Sequence, residues 1–206
     1  MRKEFEVFLG DGSKGIRSEL EKASSLLSGV KFGYETAVMR SLNRSAITGR
    51  SEMVKATRKR YTVKAKPVRE AIRIEEKATV DSLETILRVR SRRIAVEQFK
   101  FTPKTDTTGN TRKPVRVAVI KGRSPKALKN AFVFKGRIYQ RTDTTSTPLV
   151  TKTGPSAPSM VGSATVSDSV HESMKTTFLK RLDHEVREVL RSGVNGRNGG
   201  KIHGRE

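Results

Sequence analysis

The sequence predicts an α+β chain: two N-terminal helices packed on an antiparallel sheet, an extended arm, and a C-terminal amphipathic helix. Three observations predict it. Apolar residues recur at helical spacing over 16–27, 34–56 and 170–190. Between about 84 and 140 the period shortens to two. Residues 142–164 carry Pro, Ser and Thr with no period at all.

Each element follows in order. Phe5, Val7 and Leu9 alternate with polar neighbours and predict a short strand, closed by the turn residues Gly10, Asp11, Gly12 and Ser13. Ser13 can cap a helix whose apolar face is Ile16, Leu20, Ala23 and Leu27, and Ser28-Gly29 ends it. A longer helix follows from about Phe32 to Arg60, with Tyr34, Val38, Leu42, Ala46, Gly49, Met53 and Ala56 on one stripe. Gly49 costs about 1 kcal/mol relative to Ala inside a helix, so a kink or a close backbone contact is expected there. Pro67 can start a short helix running to Ile72.

Strands are then expected at Glu84–Arg90, at Ile94–Phe101, around Val115, Val117 and Val119, and on either side of a turn at Lys135-Gly136, together forming an antiparallel meander. Thr102–Pro114, with two Pro and one Gly among polar residues, reads as a long loop outside the core. Thr165–Arg191 is the clearest helix, with Val170, Met174, Phe178, Leu182, Val186 and Val189 aligned. The expected organisation is a core domain over 1–141, an extended arm or linker over 142–164, a helix over 165–191 packing on the core or on a neighbouring subunit, and a disordered tail over 192–206.

Composition bounds the function. The chain has 206 residues, with 43 Lys and Arg against 21 Asp and Glu, for a net charge of +22. Hydrophobic residues make up 34% and aromatics 5%, so the core is lean and some of the chain should depend on partners. With no Cys, a disulfide scaffold, a thiolate zinc site and a cysteine nucleophile are excluded. No apolar run approaches the roughly 18 residues of a membrane span, and Glu4 and Glu6 stand where a signal peptide needs apolar residues; a soluble protein made inside the cell is expected.

The charge is concentrated in two blocks. Residues 40–73 set eleven cations against Glu52 and Glu70, for +9, and residues 86–141 set sixteen against Glu97 and Asp106, for +14.

Nothing in the sequence supports an enzyme, a metal or a cofactor. His171, His184 and His203 stand apart from carboxylates at ligand spacing, and no Gly-x-Ser-x-Gly elbow occurs. Gly196–Lys201 is too short for a phosphate loop, and Ile202 stands where its magnesium-binding hydroxyl would be. Glu75 and Glu76 diverge in extended backbone. The basic blocks remain. A charge of this density opposes compaction unless solvent or an anionic partner offsets it, and no sequence-reading motif or aromatic stacking platform accompanies it. Sequence-independent phosphate contact and an acidic protein surface both fit. The candidate contacts are Arg40, Arg44, Lys55, Arg58, Lys59 and Arg60 on the helix, and Arg88, Arg90, Arg92, Arg93, Arg112, Lys113 and Arg116 across the strands.

The helix Ala37-Val-Met-Arg-Ser-Leu-Asn-Arg-Ser-Ala46, continuing through Arg58-Lys-Arg-Tyr61 and Val68-Arg-Glu-Ala-Ile72, resembles the N-terminal signature of the minor tail protein Z family of long-tailed phages. The likeness extends to Ala78-Thr79 as a strand entry, Asn130-Ala-Phe-Val-Phe134, Gln140-Arg141, and Pro148-Leu149 with Gly154-Pro155-Ser156 before a last helix. Thr102–Asn110 departs from it, being Thr-rich where the family is dense in Arg and Lys.

The resemblance implies a virion structural protein of tail completion at the head-proximal end of the tail or neck. It would form a ring, commonly sixfold, around the DNA channel and support head–tail joining. Its implied partners are copies of itself, other tail, neck or connector proteins, and viral DNA in the channel, with no membrane. It would be assembled in the host cytoplasm, with Pro148, Leu149, Gly154, Pro155 and Ser156 reaching a neighbouring subunit. A stand-alone, sequence-independent nucleic-acid-binding protein is the alternative.

Overall fold

The computed structural model describes residues 3–8, 14–107, 113–141 and 148–198, with side chains described for 16–107, 113–141 and 148–192. In chain order the elements are β1 (Lys3–Phe8), α1 (Lys14–Leu27), α2 (Gly33–Arg60), α3 (Ala65–Ala71), β2 (Ile72–Glu76), β3 (Ile86–Ser91) and β4 (Arg93–Ala95). A 3-10 turn (Val96–Gln98) leads to β5 (Lys100–Thr102), β6 (Arg116–Ala118), β7 (Lys126–Ala127), β8 (Ala131–Phe134) and β9 (Arg137–Arg141). The described chain closes with β10 (Leu149–Thr151), β11 (Thr153–Ser156), α4 (Ala157–Val161) and α5 (Ala164–Asn198). The fold is α+β, as the two periods predict.

The chain makes two compact units that interleave along it. The helical unit takes Glu6–Arg50, Ile74–Leu87 and the chain from Val170 onward; the sheet-bearing unit takes Ser51–Arg73 and Arg88–Ser169, with β1 as far as Phe5. Thus α2 and α5 each contribute residues to both.

In the helical unit, α1 buries Ile16, Ala23 and Leu27, α2 buries Ala37, Val38 and Leu42, and α5 buries Phe178, Leu182, Val186 and Val189 in one cluster. These are the stripes read from the sequence. The inner edge of α2 also carries Ala37, Ser41, Ser45 and Gly49, all buried and four residues apart. The two hydroxyls cost little there because each donates to its own helix, Ser41 Oγ to the Ala37 carbonyl (2.7 Å) and Ser45 Oγ to the Ser41 carbonyl (2.8 Å). Gly49 makes the expected close contact: a Cβ on it would lie 2.5 Å from Sδ and 2.9 Å from Cγ of the fully buried Met174 on α5.

One side chain ties the β2–β3 loop to α2. Asn43 Nδ2 donates to the Ala78 carbonyl and Asn43 Oδ1 accepts from the Ala78 amide, both at 2.9 Å, so the amide group replaces the backbone partner that this loop lacks. Thr79 then closes the turn, its amide donating to the Ser82 carbonyl and its hydroxyl accepting from the Ser82 amide. Ala78-Thr79 is therefore loop and not the expected strand entry; the strand, β2, precedes it and was missed because Ile72 also ends the Pro67 helical pattern.

In the sheet-bearing unit the expected single meander is divided among small sheets. Their strand orders are β5-β6-β7, β8-β9-β10 and β4-β11, while β2, β3 and β1 form a further sheet with β3 central. The 3-10 turn makes the division by splitting the expected Ile94–Phe101 strand. Ile94 and Val96 are two apart, Phe99 comes three later and Phe101 two after that, and the turn absorbs the extra residue so that all four are buried. The β8–β9 hairpin turns on Lys135 (φ 49°) and Gly136 (φ 74°), the paired positive φ of a two-residue loop that matches strand twist. Phe132 and Tyr139 stack across it at 5.9 Å.

Three expectations are corrected here. The Thr102–Pro114 loop is not wholly outside the core, since Thr107 is buried and bonds to Val133, amide to carbonyl at 3.0 Å and hydroxyl from amide at 2.8 Å. The Pro/Ser/Thr segment is extended, but within this chain β10 pairs with β9 and β11 with β4, and α4 buries Ala157, Pro158, Met160 and Val161. The tail expected from 192 is helical to Asn198, because Gly193 and Gly196, at about 1 kcal/mol each, are too little to stop a 35-residue helix. Residues 199–206 and Ser13 lie outside the described residues.

Two outcomes follow for stability. Gly49→Val should lower stability by about 1–3 kcal/mol through overpacking, and Met174→Ala in the same chain should recover part of that loss; thermal midpoints of the single and double variants measure it. Asn43→Ala should cost about 2–3 kcal/mol by leaving both Ala78 backbone groups unpartnered, and Asn43→Asp should cost at least as much, because it sets a carboxylate oxygen against the Ala78 carbonyl.

Candidate functional site

The densest cationic feature of the sheet-bearing unit grows from the β5–β6 register. Lys100 pairs with Ala118 and Thr102 with Arg116, so these four share one face, while Phe101 and Val117 share the other and are buried. Thr62, just past α2, fastens the two strands. Its amide donates to the Val119 carbonyl at 3.0 Å, its hydroxyl donates to the Ala118 carbonyl, and that oxygen accepts from the Lys100 amide at 3.1 Å. Beyond β6 the chain turns through Ile120–Arg123. Tyr61 bridges Ile120, the Lys121 amide donates to the Arg60 carbonyl at 2.9 Å, and Gly122 takes a φ of 77° at the third turn position, where glycine alone is unstrained.

The result is a cleft of about 510 Å³ lined by Lys100, Arg116, Lys121 and Arg123 with the hydroxyls of Thr62 and Thr102. Among the described residues no carboxylate lines it. Among the described residues from Arg92 to Thr165 none forms an ion pair: Glu97 and Asp106 are the acids there, and Glu97 Oε2 is turned inward and buried. Like charge also accumulates beside the cleft strands. Lys104 Nζ lies 3.5 Å from the Phe101 ring centroid, and its pKa is lowered, first by desolvation and then by Lys64. Such a cleft can hold an anion through charge-assisted hydrogen bonds.

A second groove, of about 530 Å³, belongs to the helical unit and is lined by Arg40, Asn43, Arg44, Ile47, Arg181 and Glu185. Here charge is partly met, Arg40 Nη1 standing 3.4 Å from Glu185 Oε2.

The candidate cations are thus dispersed. Arg40 and Arg44 line the helical groove, and Lys55 pairs with Glu52 at 2.7 Å. Arg58 and Lys59 are exposed at the end of α2, while Arg60 donates to Thr165 Oγ1 and lies over the Tyr61 ring. Arg88 and Arg90 sit on β3, Arg92 is exposed after it, and Arg93 Nε donates to the Gly154 carbonyl at 3.3 Å. Lys113 is exposed, Arg112 lies outside the described residues, and Arg116 alone of the set is in the cleft.

Of the arm residues, Pro148 and Leu149 are exposed, and Pro155 is half-buried in β11. Gly154 is packed so that a Cβ would meet the Phe99 ring at 2.8 Å, and Ser156 caps α4 by accepting from the Ser159 amide. Sequence reasoning missed Lys100, Lys121 and Arg123. The signal for them was the alternation Lys100-x-Thr102 against Arg116-x-Ala118, followed by Lys-Gly-Arg at a turn.

Among the described residues no cluster of three His, Asp or Glu could hold a metal ion, and no helix is long and apolar enough to cross a membrane. No curated protein and no solved structure matches the chain. The family model of prophage minor tail protein Z (GPZ) does, over residues 17–195, from α1 almost to the end of α5. With both helical stripes, the strands between them and the cationic cleft inside that span, the chain belongs to the prophage minor tail protein Z family, and its role is a structural one in the phage tail.

Proposed function

We propose that the protein completes the tail at its head-proximal end, forming a ring, sixfold as is common for such assemblies, around the DNA channel and supporting the joining of head and tail. The family match over residues 17–195 carries this reading. Two features support it further. The first is the excess of positive charge, +14 over residues 86–141, which suits a surface passed by DNA. The second is the edge strand β10, whose Leu149 and Val150 are each 44% exposed and whose outer side has no strand partner among the described residues. Together with Pro148 it offers a neighbouring copy both backbone hydrogen bonds and apolar surface.

In this reading Arg40 and Arg44 in the helical unit, and Lys55, Arg58, Lys59, Arg60, Arg88, Arg90, Arg92, Arg93, Lys113 and Arg116 in the sheet-bearing unit, are separate contacts offered to DNA or to acidic tail, neck or connector proteins. The protein acts by assembly in the virion, without catalysing a reaction.

The test is genetic and visual. Phage lacking this gene should accumulate filled heads and separate tails, and supplying the protein in trans should restore joined particles. Joined, infectious particles in its absence would overturn the reading and leave the stand-alone nucleic-acid binder, which the basic surface alone would also support.

A further inference from the structure

We propose that the β5–β6 cleft is a binding site for the phosphodiester backbone of duplex DNA, with Lys100, Arg116, Lys121 and Arg123 as its charged ligands and the Thr102 hydroxyl as a further donor. The inference rests on the tail reading only for where DNA is met; the site itself stands on the geometry.

Four cations from three separate stretches of chain converge on one concavity, and each stretch is fixed by backbone bonds. The β5–β6 ladder sets Lys100 and Arg116, and the amide of Lys121 is held by the Arg60 carbonyl at 2.9 Å. Thr62 uses its hydroxyl on Ala118 and Lys100, so it fixes the cleft without being a ligand. Holding like charges together opposes folding, and among the described residues no carboxylate lines the cleft to relieve that repulsion. A phosphate relieves it: guanidinium groups bind it in bidentate fashion and ammonium groups as point charges.

The lining also separates nucleic acid from an acidic protein. Protein hot spots bury aromatic or large apolar anchors in desolvated pockets. Among the described residues the apolar lining here is Ala118, Ile120 and Pro125, with no aromatic side chain. A phosphate backbone needs no such anchor. The same lack of aromatics removes base stacking, so binding is independent of sequence and sensitive to salt.

The experiment uses the purified full chain and a random-sequence duplex of about 30 base pairs, with fluorescence anisotropy followed across a salt series. The cleft variant carries Lys100→Gln, Arg116→Gln, Lys121→Gln and Arg123→Gln. The control carries Lys129→Gln, Lys135→Gln, Arg137→Gln and Lys152→Gln, the same loss of charge at exposed positions of the same unit. All eight side chains are exposed, and equal thermal midpoints confirm that both variants fold.

At about 0.1 M salt the cleft variant should bind about tenfold more weakly or worse, with the log–log salt slope reduced by about two; the control should change less than about threefold. Equal losses in the two variants would show a net-charge effect and overturn the site. Retained DNA affinity with lost binding to polyglutamate would overturn it in favour of an acidic protein. Both variants are also scored for head–tail joining in the deletion phage. Failure of the cleft proposal leaves joining by wild-type protein untouched, whereas failure of the tail reading shows as joining without any protein, whatever the anisotropy reports.

Discussion

The structure is organised around positive charge that it does not neutralise. The helices meet their charges locally: Arg17 with Glu21, Lys22 with Glu19, Lys55 with Glu52, Lys66 with Glu70, Arg187 with Asp183 and Arg191 with Glu188 all stand three or four residues apart. Such exposed pairs contribute only tenths of a kcal/mol each, but they flatten the local field. From β4 to β11 the described strands have no equivalent device, because the acids among the described residues from 92 to 165, Glu97 and Asp106, lie outside the strands. The cations of this stretch therefore form no ion pair among the described residues, and what relieves their repulsion comes from solvent ions or from another molecule.

That constraint shapes the local architecture of the sheet-bearing unit. Period-two alternation puts Phe101 and Val117 inward and Lys100 and Arg116 outward, and Thr62 locks the two strands together with three hydrogen bonds. The turn after β6 is held by the last turn of α2, so the cationic residues at its tip are mounted on rigid backbone. In the helical unit the governing device differs. A stripe of small residues on α2 ends at Gly49 against Met174, and the Asn43 amide holds the β2–β3 loop through Ala78. Asn43 and Ala78, 35 positions apart, both belong to the family likeness read from the sequence, and the fold brings them into contact.

Much of the fold was legible because its signals are local. The stripes of α1, α2 and α5 needed only periodicity, the β8–β9 hairpin only Lys-Gly between alternating strands, and the close contact at Gly49 only a glycine in a helix. What was not legible depends on distant pairing. Gly154 packs against Phe99 and accepts from Arg93, so a Pro-rich segment that looks like a free arm becomes β11 and a buried turn of helix. β2 was hidden because Ile72 serves the preceding helical pattern equally well. Of the candidate cations only Arg116 reached the cleft; Lys100, Lys121 and Arg123 join it through a register that composition does not encode.

In the proposed assembly this tail protein turns the cations of its β5–β6 cleft toward DNA. A reconstruction of the virion at side-chain resolution tests it most directly. The expected result is a ring of copies at the head-proximal end of the tail, with Lys100, Arg116, Lys121 and Arg123 facing density for DNA. Copies at the far end of the tail, or a ring whose β5–β6 cleft faces away from the channel, would contradict it.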